Sequence, residues 1–353
     1  MLFSQHQIEQ IRRQSLQMEQ EGKVTEEVLQ LIYDYRLFHL FVPNELEGRM
    51  TTLPEAVKLF QECSRIDGNF GWLITIGAGG GFFASFMSPK VSRDVFAHRT
   101  AVIAGSGTPS GTARRVPGGY IVNGSWKYCS GSTHATVFTA NVIVEKREEE
   151  ADSEESDVPE IRSMILLPEQ IHIKPDWNAF GLKATSSHSI SARDAFVPEE
   201  MTFDITDKKS YEYELIYSYP FLAFAQASFA AVTLGIAQHF LEAAEALLEQ
   251  KPSRHPFVSN QLSSMQEALK RSEMDLYACM NQSWNELQQE GHLSQETEAK
   301  VSEQCISTAQ VSLQCGQVLF PLLGLSAAME DSAVNRTWRD LQTACQHALL
   351  RSY

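Results

Sequence analysis

The sequence is short of positive charge. Its 353 residues carry 29 Lys and Arg against 44 Asp and Glu, a net charge of −15. A general nucleic-acid binder needs a basic footprint to neutralise phosphates, so no nucleic-acid partner is expected. The same deficit argues against an anionic membrane surface. No two of the cysteines (Cys63, Cys129, Cys279, Cys305, Cys315, Cys345) stand in a C-x-x-C spacing. That removes a zinc knuckle and a redox pair, and scattered cysteines read as reduced, buried thiols. The histidines form no H-E-x-x-H and no tight cluster with acids, so no metal site is expected. The G-x-S-x-G of a hydrolase is missing. The first residues, MLFSQHQIEQIRRQS, lack an apolar signal core. Export is therefore not expected, and the expected location is cytoplasmic.

Two charge-free stretches bear on membranes. Asn69–Pro89 contains five glycines, a poor spanning helix. Leu215–Leu241 is long enough to span. It also contains Tyr217, Tyr219, Pro220, Gln226 and Thr233, so a buried bundle helix is the expected reading and no membrane partner is.

What is present is globular: 43% hydrophobic and 21% charged residues, with a length that suggests two or three domains. The texture changes twice. Residues 1–100 read helical, with Ser4/Gln7 and Thr52-Leu53-Pro54-Glu55 as helix starts. Residues 101–203 read as short strands: Ala101–Ala104, Tyr120–Val122, Trp126–Cys129, Val137–Val144, Ile161–Leu167, Ile171–Ile173 and Ser187–Val197. Asn123-Gly124 between two of them reads as a type I′ hairpin turn. About seven strands in this span suggest a small antiparallel barrel or sandwich. Residues 204–353 return to long helices, Phe221–Gln250, Phe257–Glu290, Gln295–Phe320 and Asp331–Ser352, the pattern of a four-helix bundle. The fold class is α+β. Nine acids and two bases fall in Glu145–Glu160, which reads as a solvated hairpin insertion.

Two segments could carry chemistry. The run Asn123 to Gly131 spends Trp126, Tyr128, Ser130 and Gly131 together. It fits the wall of a planar ligand, or an ordinary hairpin with a buried Trp. Arg339, Thr343 and His347 recur at helical spacing and would share one helix face. A buried polar stripe of this kind is either a structural network or a site.

With these segments in place, the chain resembles the acyl-CoA dehydrogenase superfamily. The resemblance rests on Leu40–Gly48, Arg65–Trp72, Gly118-Gly119-Tyr120 with Asn123-Gly124, Tyr128-Cys129-Ser130-Gly131, Asp176-Trp177 with Gly181, Thr185 and Ser187, Phe196-Val197-Pro198, Gln314-Cys315-Gly316 and Arg339-Asp340. It implies an N-terminal helical domain (1–100), a middle antiparallel β-barrel (101–203) and a C-terminal four-helix bundle (204–353). It implies a flavin, FAD or FMN. Ser106, Tyr128, Cys129, Ser130, Gly131, Arg254, Phe257, Gln314 and Arg339 would bind it, with Ser130 at the flavin N5 and Gln314 reaching a neighbouring subunit. The spacing from Arg254 to Gln261 is shorter than the family's. Trp72 and Phe82 are candidates for a substrate pocket. A homotetramer or homodimer is implied as well.

The resemblance also fails in informative places. The family's catalytic glutamate falls at Ala348 or at Ala225, and no acid occurs between Glu214 and Glu242. A general base must reach the proton it removes, so ordinary dehydrogenation is disfavoured. Pro109-Ser110-Gly111-Thr112-Ala113, Ser130-Gly131 and Arg339 through His347 resemble instead the group D two-component flavin monooxygenases. That branch implies reduced flavin from a separate reductase, O2, a C4a-hydroperoxyflavin and a small organic substrate. Ser130 would guard N5 and His347 would assist proton transfer. An acyl-CoA dehydrogenase or oxidase with a displaced base, and a non-catalytic family member, are the alternatives.

Overall fold

A computed structural model describes residues 2–146, 159–250 and 255–351. Most of the acidic run and Arg254 lie outside them. Five helices come first: α1 (Gln5–Glu21), α2 (Glu26–Asp34), α3 (Leu53–Ile66), α4 (Gly68–Gly81) and α5 (Pro89–Val95). Their starts follow the capping rules. The Ser4 hydroxyl accepts from Gln7 N while Gln7 Oε1 accepts from Ser4 N. Thr52 and Glu55 form a second capping box ahead of Pro54. Asp67 caps α4 by accepting from Asn69 N and Phe70 N at 2.9 and 3.0 Å, so a buried carboxylate satisfies two orphan amides.

Seven strands follow: β1 (Ile103–Val116), β2 (Gly119–Cys129), β3 (Val137–Val144), β4 (Ile161–Leu166), β5 (His172–Lys174), β6 (His188–Pro198) and β7 (Thr202–Phe203). They form one sheet in the order β5-β6-β2-β1-β3-β4-β7. The expectation of all-antiparallel pairing is corrected at one place: β1 pairs with β3 in parallel. After β2 the chain crosses the end of β1 through residues 130–136 and lies on its other side, so β3 runs the same way as β1. That crossing places Ser130 at the end of the sheet.

A second correction concerns Asn123-Gly124, which is not a turn. Both residues lie inside β2, and Gly124 pairs with Gly111. The turn from β1 to β2 is at Pro117-Gly118, with Gly118 at φ +82°. Gly111 and Gly124 are small because the Trp126 ring lies on them: an added Cβ would meet Trp126 Cζ2 at 2.3 and 2.8 Å. Strand glycines often mark such a close approach. The Trp126 indole donates to the Asn141 carbonyl at 2.8 Å, which satisfies its one polar group inside the sheet core.

The last part contains α6 (Phe221–Glu249), α7 (Pro256–Glu290), α8 (Gln295–Leu319), α9 (Leu325–Ala328) and α10 (Ala333–Ala344). Among the described residues α6 alone is apolar and long enough to cross a membrane, and 78% of its most apolar window is buried within the chain. It packs against α3, α8 and α10 as a core helix. One apolar core runs through the helices of both ends of the chain. Trp126, Tyr120, Phe138 and Leu166 anchor a second core inside the sheet.

Candidate active site

The crossing after β2 begins with strained backbone. Tyr128 sits at φ +65° and Gly131 at φ +78°. The Tyr128 ring is 70% exposed and meets the edge of Trp177 at 6.2 Å. The Cys129 thiol points into the sheet core beside the Trp126 carbonyl. Burial raises its pKa to about 12, so it is no nucleophile. Gly131 N donates to the Thr185 carbonyl at 2.8 Å, and Ser132 Oγ donates to the Ser186 carbonyl at 2.7 Å. The two turns, 128–132 and 182–187, are thereby locked together.

Ser130 stands where they meet. Its hydroxyl accepts from the Trp72 indole at 3.0 Å and lies 2.7 Å from Ser187 Oγ. On the far side of Trp72, the His347 ring meets the indole at 5.9 Å and packs on Phe229 at 3.9 Å between centroids. The structure thus joins Ser130, Trp72 and His347, which come from three distant parts of the chain. His347 Nδ1 accepts from Leu349 N at 3.4 Å. That contact puts the ring proton on Nε2, which is then a donor. Burial, with the Arg351 charge adding, lowers the His347 pKa to about 4, so the ring is neutral at neutral pH.

The shared helix face expected for Arg339, Thr343 and His347 does not form. α10 stops at Ala344, and His347 (φ −61°, ψ 131°) caps a short turn over Ala348–Leu350. Thr343 Oγ1 donates back to the Arg339 carbonyl. Arg339 is held inside the chain: Nε donates to Asn335 Oδ1 at 2.7 Å, and Nη1 donates to the Phe180 carbonyl at 2.6 Å and to Glu19 at 2.7 Å. Next to it, Asp340 accepts from Leu182 N at 2.5 Å and from Asn69 Nδ2 at 3.4 Å. The pair clamps the 180–184 turn against α10. An added Cβ at Gly181 would stand 2.1 Å from the Arg339 carbonyl, so only glycine lets the turn approach.

The remaining candidates scatter. Ser106 lies in β1 just before its bulge, with Thr108 N at 3.5 Å from its hydroxyl. Phe257 is 53% exposed in the first turn of α7. Gln314 is exposed on α8. Phe82 is placed in a closed aromatic cluster with Phe86, Tyr217, Phe221 and Phe224 rather than in an open pocket. Four residues at the site were not singled out as site residues from the sequence. Thr185 and Ser187 carried a signal in the motif that contains them. Phe229, one of many apolar residues of α6, carried none. The ring of His134 lies 3.2 Å from where a Gly131 Cβ would stand and stacks on Phe38. Burial lowers its pKa to about 4.

Among the described residues no carboxylate hydrogen-bonds to Ser130, Trp72 or His347. Ala348 and Ala225 supply none. The arrangement can hold a planar ring against the 128–131 turn, present a hydroxyl and a neutral imidazole to it, and keep water out with Trp72 and Phe229. Among the described residues it offers no carboxylate to accept a proton from carbon.

Comparison with known proteins gives the same direction. Residues 227–352 match the family described as acyl-CoA dehydrogenase, C-terminal domain. Indole-3-acetate monooxygenase of Pseudomonas putida is 22% identical over 342 residues, covering 95% of this chain and 86% of that protein. The structure of 3-HSA hydroxylase from Rhodococcus sp. RHA1 superposes with a TM-score of 0.89 at 19% identity, covering 97% of this chain and 90% of the other. XiaF from Streptomyces sp., in complex with FADH2 and glycerol, superposes with a TM-score of 0.86 at 20% identity, covering 98% and 90%. The chain therefore has the acyl-CoA dehydrogenase-like fold, and the proteins it is similar to include ones named as a monooxygenase and a hydroxylase.

Proposed function

We propose that the chain is the oxygenase component of a two-component flavin monooxygenase. It would take reduced FAD or FMN from a separate reductase and oxidise a small organic substrate with O2. The observation that carries this reading is the Ser130–Trp72–His347 constellation without a carboxylate. The residues fit a flavin. Ser130 Oγ keeps room for one more hydrogen bond beyond its contacts to Trp72 and Ser187, and the left-handed Tyr128 and Gly131 turn the backbone away from the strand. When bound, reduced flavin supplies the two electrons that send one oxygen atom of O2 to the substrate and the other to water.

The chain's own residues divide the remaining work. Ser130 would meet the N5 edge, with the Cys129 and Gly131 backbone and the Tyr128 ring beside it. Neutral His347 would donate through Nε2 to developing negative charge on oxygen. Trp72 and Phe229 would exclude water, which otherwise destroys activated oxygen species. Ser106, Phe257 and Gln314 are proposed for the outer parts of the cofactor, the last from a neighbouring subunit, and Arg254 lies outside the described residues. The structure gives Arg339 to the clamp on the 180–184 turn, so its link to the cofactor would be indirect.

The division into 1–100, 101–203 and 204–353, a homotetramer or homodimer, and a cytoplasmic location belong to the same proposal. Stopped-flow mixing of the reduced, flavin-loaded protein with O2 tests the function. A transient absorbance distinct from both reduced and oxidised flavin is expected. Anaerobic bleaching of bound oxidised flavin by an acyl-CoA, with no such transient, would establish the dehydrogenase alternative.

A further inference from the structure

A single line of hydrogen bonds runs from Trp72 into the 182–187 turn. The Trp72 indole donates to Ser130 Oγ at 3.0 Å. Ser130 Oγ to Ser187 Oγ, and Ser187 Oγ to Thr185 Oγ1, are each 2.7 Å. Thr185 Oγ1 donates to the Leu182 carbonyl at 2.8 Å. All five residues are buried.

The line contains three oxygen–oxygen contacts and three hydroxyl protons, one on each side chain. A carbonyl can only accept, so the Thr185 proton goes to Leu182. Thr185 then has none for Ser187, and Ser187 must donate to Thr185. Ser187 has none left for Ser130, and Ser130 must donate to Ser187. Any other assignment leaves two buried oxygens at hydrogen-bond distance with no proton between them. The line therefore has one direction, and bonds joined head to tail polarise one another. Ser130 spends its proton inward and receives one from Trp72. Only an acceptor lone pair remains to face outward.

We propose that Ser187 and Thr185 are positioning residues that fix Ser130 as a hydrogen-bond acceptor, so that the site selects flavin with a proton on N5 over oxidised flavin. This rests on the reading of Ser130 as the N5 contact. Reduced flavin presents an N5–H donor, which pairs with the lone pair. The N5 of oxidised flavin is itself an acceptor and would face another acceptor. A site built to pair a donor rejects a ligand that lacks it.

Anaerobic titration of the whole chain with reduced and oxidised FMN and FAD tests the proposal. The wild type is expected to bind the reduced form about tenfold or more tighter, the worth of one hydrogen bond. Thr185→Val removes the acceptor of the Ser187 proton. That proton then turns to Ser130, whose own proton is freed toward N5. Ser187→Ala frees the Ser130 proton directly. In both variants the preference for reduced flavin should fall about tenfold, with oxidised flavin binding more tightly than before. Thr185→Ser should restore the wild-type ratio. A merely structural role would weaken both forms together and leave the ratio unchanged, which overturns the proposal. Equal binding of the two forms by the wild type also overturns it, whether or not the variants fold. Failure of the wild type to bind either flavin in either state would overturn the flavin reading itself, and the proposal with it.

Discussion

Leu182 has a different polar network on each side. Its N–H faces an ionisable group: it donates to Asp340, beside the Glu19–Arg339 ion pair and a cavity of about 230 Å³ lined by Arg12, Asp67, His239 and Glu242. Its carbonyl faces neutral groups, the Thr185 hydroxyl and the Trp177 indole. The charged side holds by compensation between ions. Burial and the nearby Asp67 carboxylate push the Asp340 pKa up to about 8, so it holds a proton at neutral pH. The neutral side holds by counting protons, and each of its hydroxyls is used once. A charged network is therefore sensitive to pH and to the loss of one partner. A hydroxyl line is sensitive only to the loss of a hydroxyl.

The largest expected effect is on the charged side. Arg339 and Glu19 are both nearly buried, and Arg339→Met leaves that carboxylate with only the half-exposed Lys183 ammonium at 3.4 Å, which offsets part of the loss. Breaking one partner of a buried pair costs about 3–5 kcal/mol. Urea unfolding should show that loss, and loss of less than about 1 kcal/mol would place the pair among ordinary surface bridges.

Acid comes next. Burial lowers the pKa of His134 to about 4 and of His347 to about 4, and burial with the Arg12, Arg336 and Arg65 charges lowers that of His239 to about 3. An unfolded histidine titrates near ~6.5, so between about pH 6.5 and 4 the unfolded chain binds more protons at these three sites, and stability falls as pH falls. Asp340 acts the other way in this window, because its folded pKa is raised and the folded chain holds the extra proton. Among these four groups, three against one gives a net loss on the order of 2 kcal/mol between pH 6 and 5; His39, also lowered by burial, adds to it, and Glu214, raised by burial, opposes it. Unfolding at the two pH values measures it, and a gain in stability toward pH 5 would show that the carboxylate dominates.

The smallest effect on stability is expected from His347→Ala. It removes the ring contact with Phe229, worth about 1 kcal/mol. The same variant should shorten the oxygen-dependent transient about tenfold, the scale of one lost hydrogen bond. An unchanged transient lifetime would remove His347 from the chemistry.

Local rules carried much of the architecture. The capping pairs at Ser4 and Thr52 form as written, because a cap needs only residues within one turn. The long helices follow apolar periodicity, which is equally local. Asn123-Gly124 misled because the same dipeptide serves a tight turn or a close approach, and the Trp126 ring that decides between them is a packing partner. His347 misled for a related reason. Its spacing from Arg339 is helical, but the helix ends three residues before it.

The candidate site was legible only in part. Ser130, Trp72 and His347 were each suspect for separate reasons. Their junction depends on α4, the crossing after β2 and the turn after α10 meeting, and Phe229 on α6 gave no sign of its place there. By itself the sequence determined the helix–strand–helix order and the absence of a carboxylate at Ala225 and Ala348, because periodicity and residue identity are properties of the chain alone. Only the tertiary structure decided that β1 and β3 run parallel, that Arg339 and Asp340 clamp a turn, and that the hydroxyls of Ser130, Ser187 and Thr185 stand in one hydrogen-bonded line. Those outcomes depend on which distant groups share a buried space, where every donor must find its acceptor.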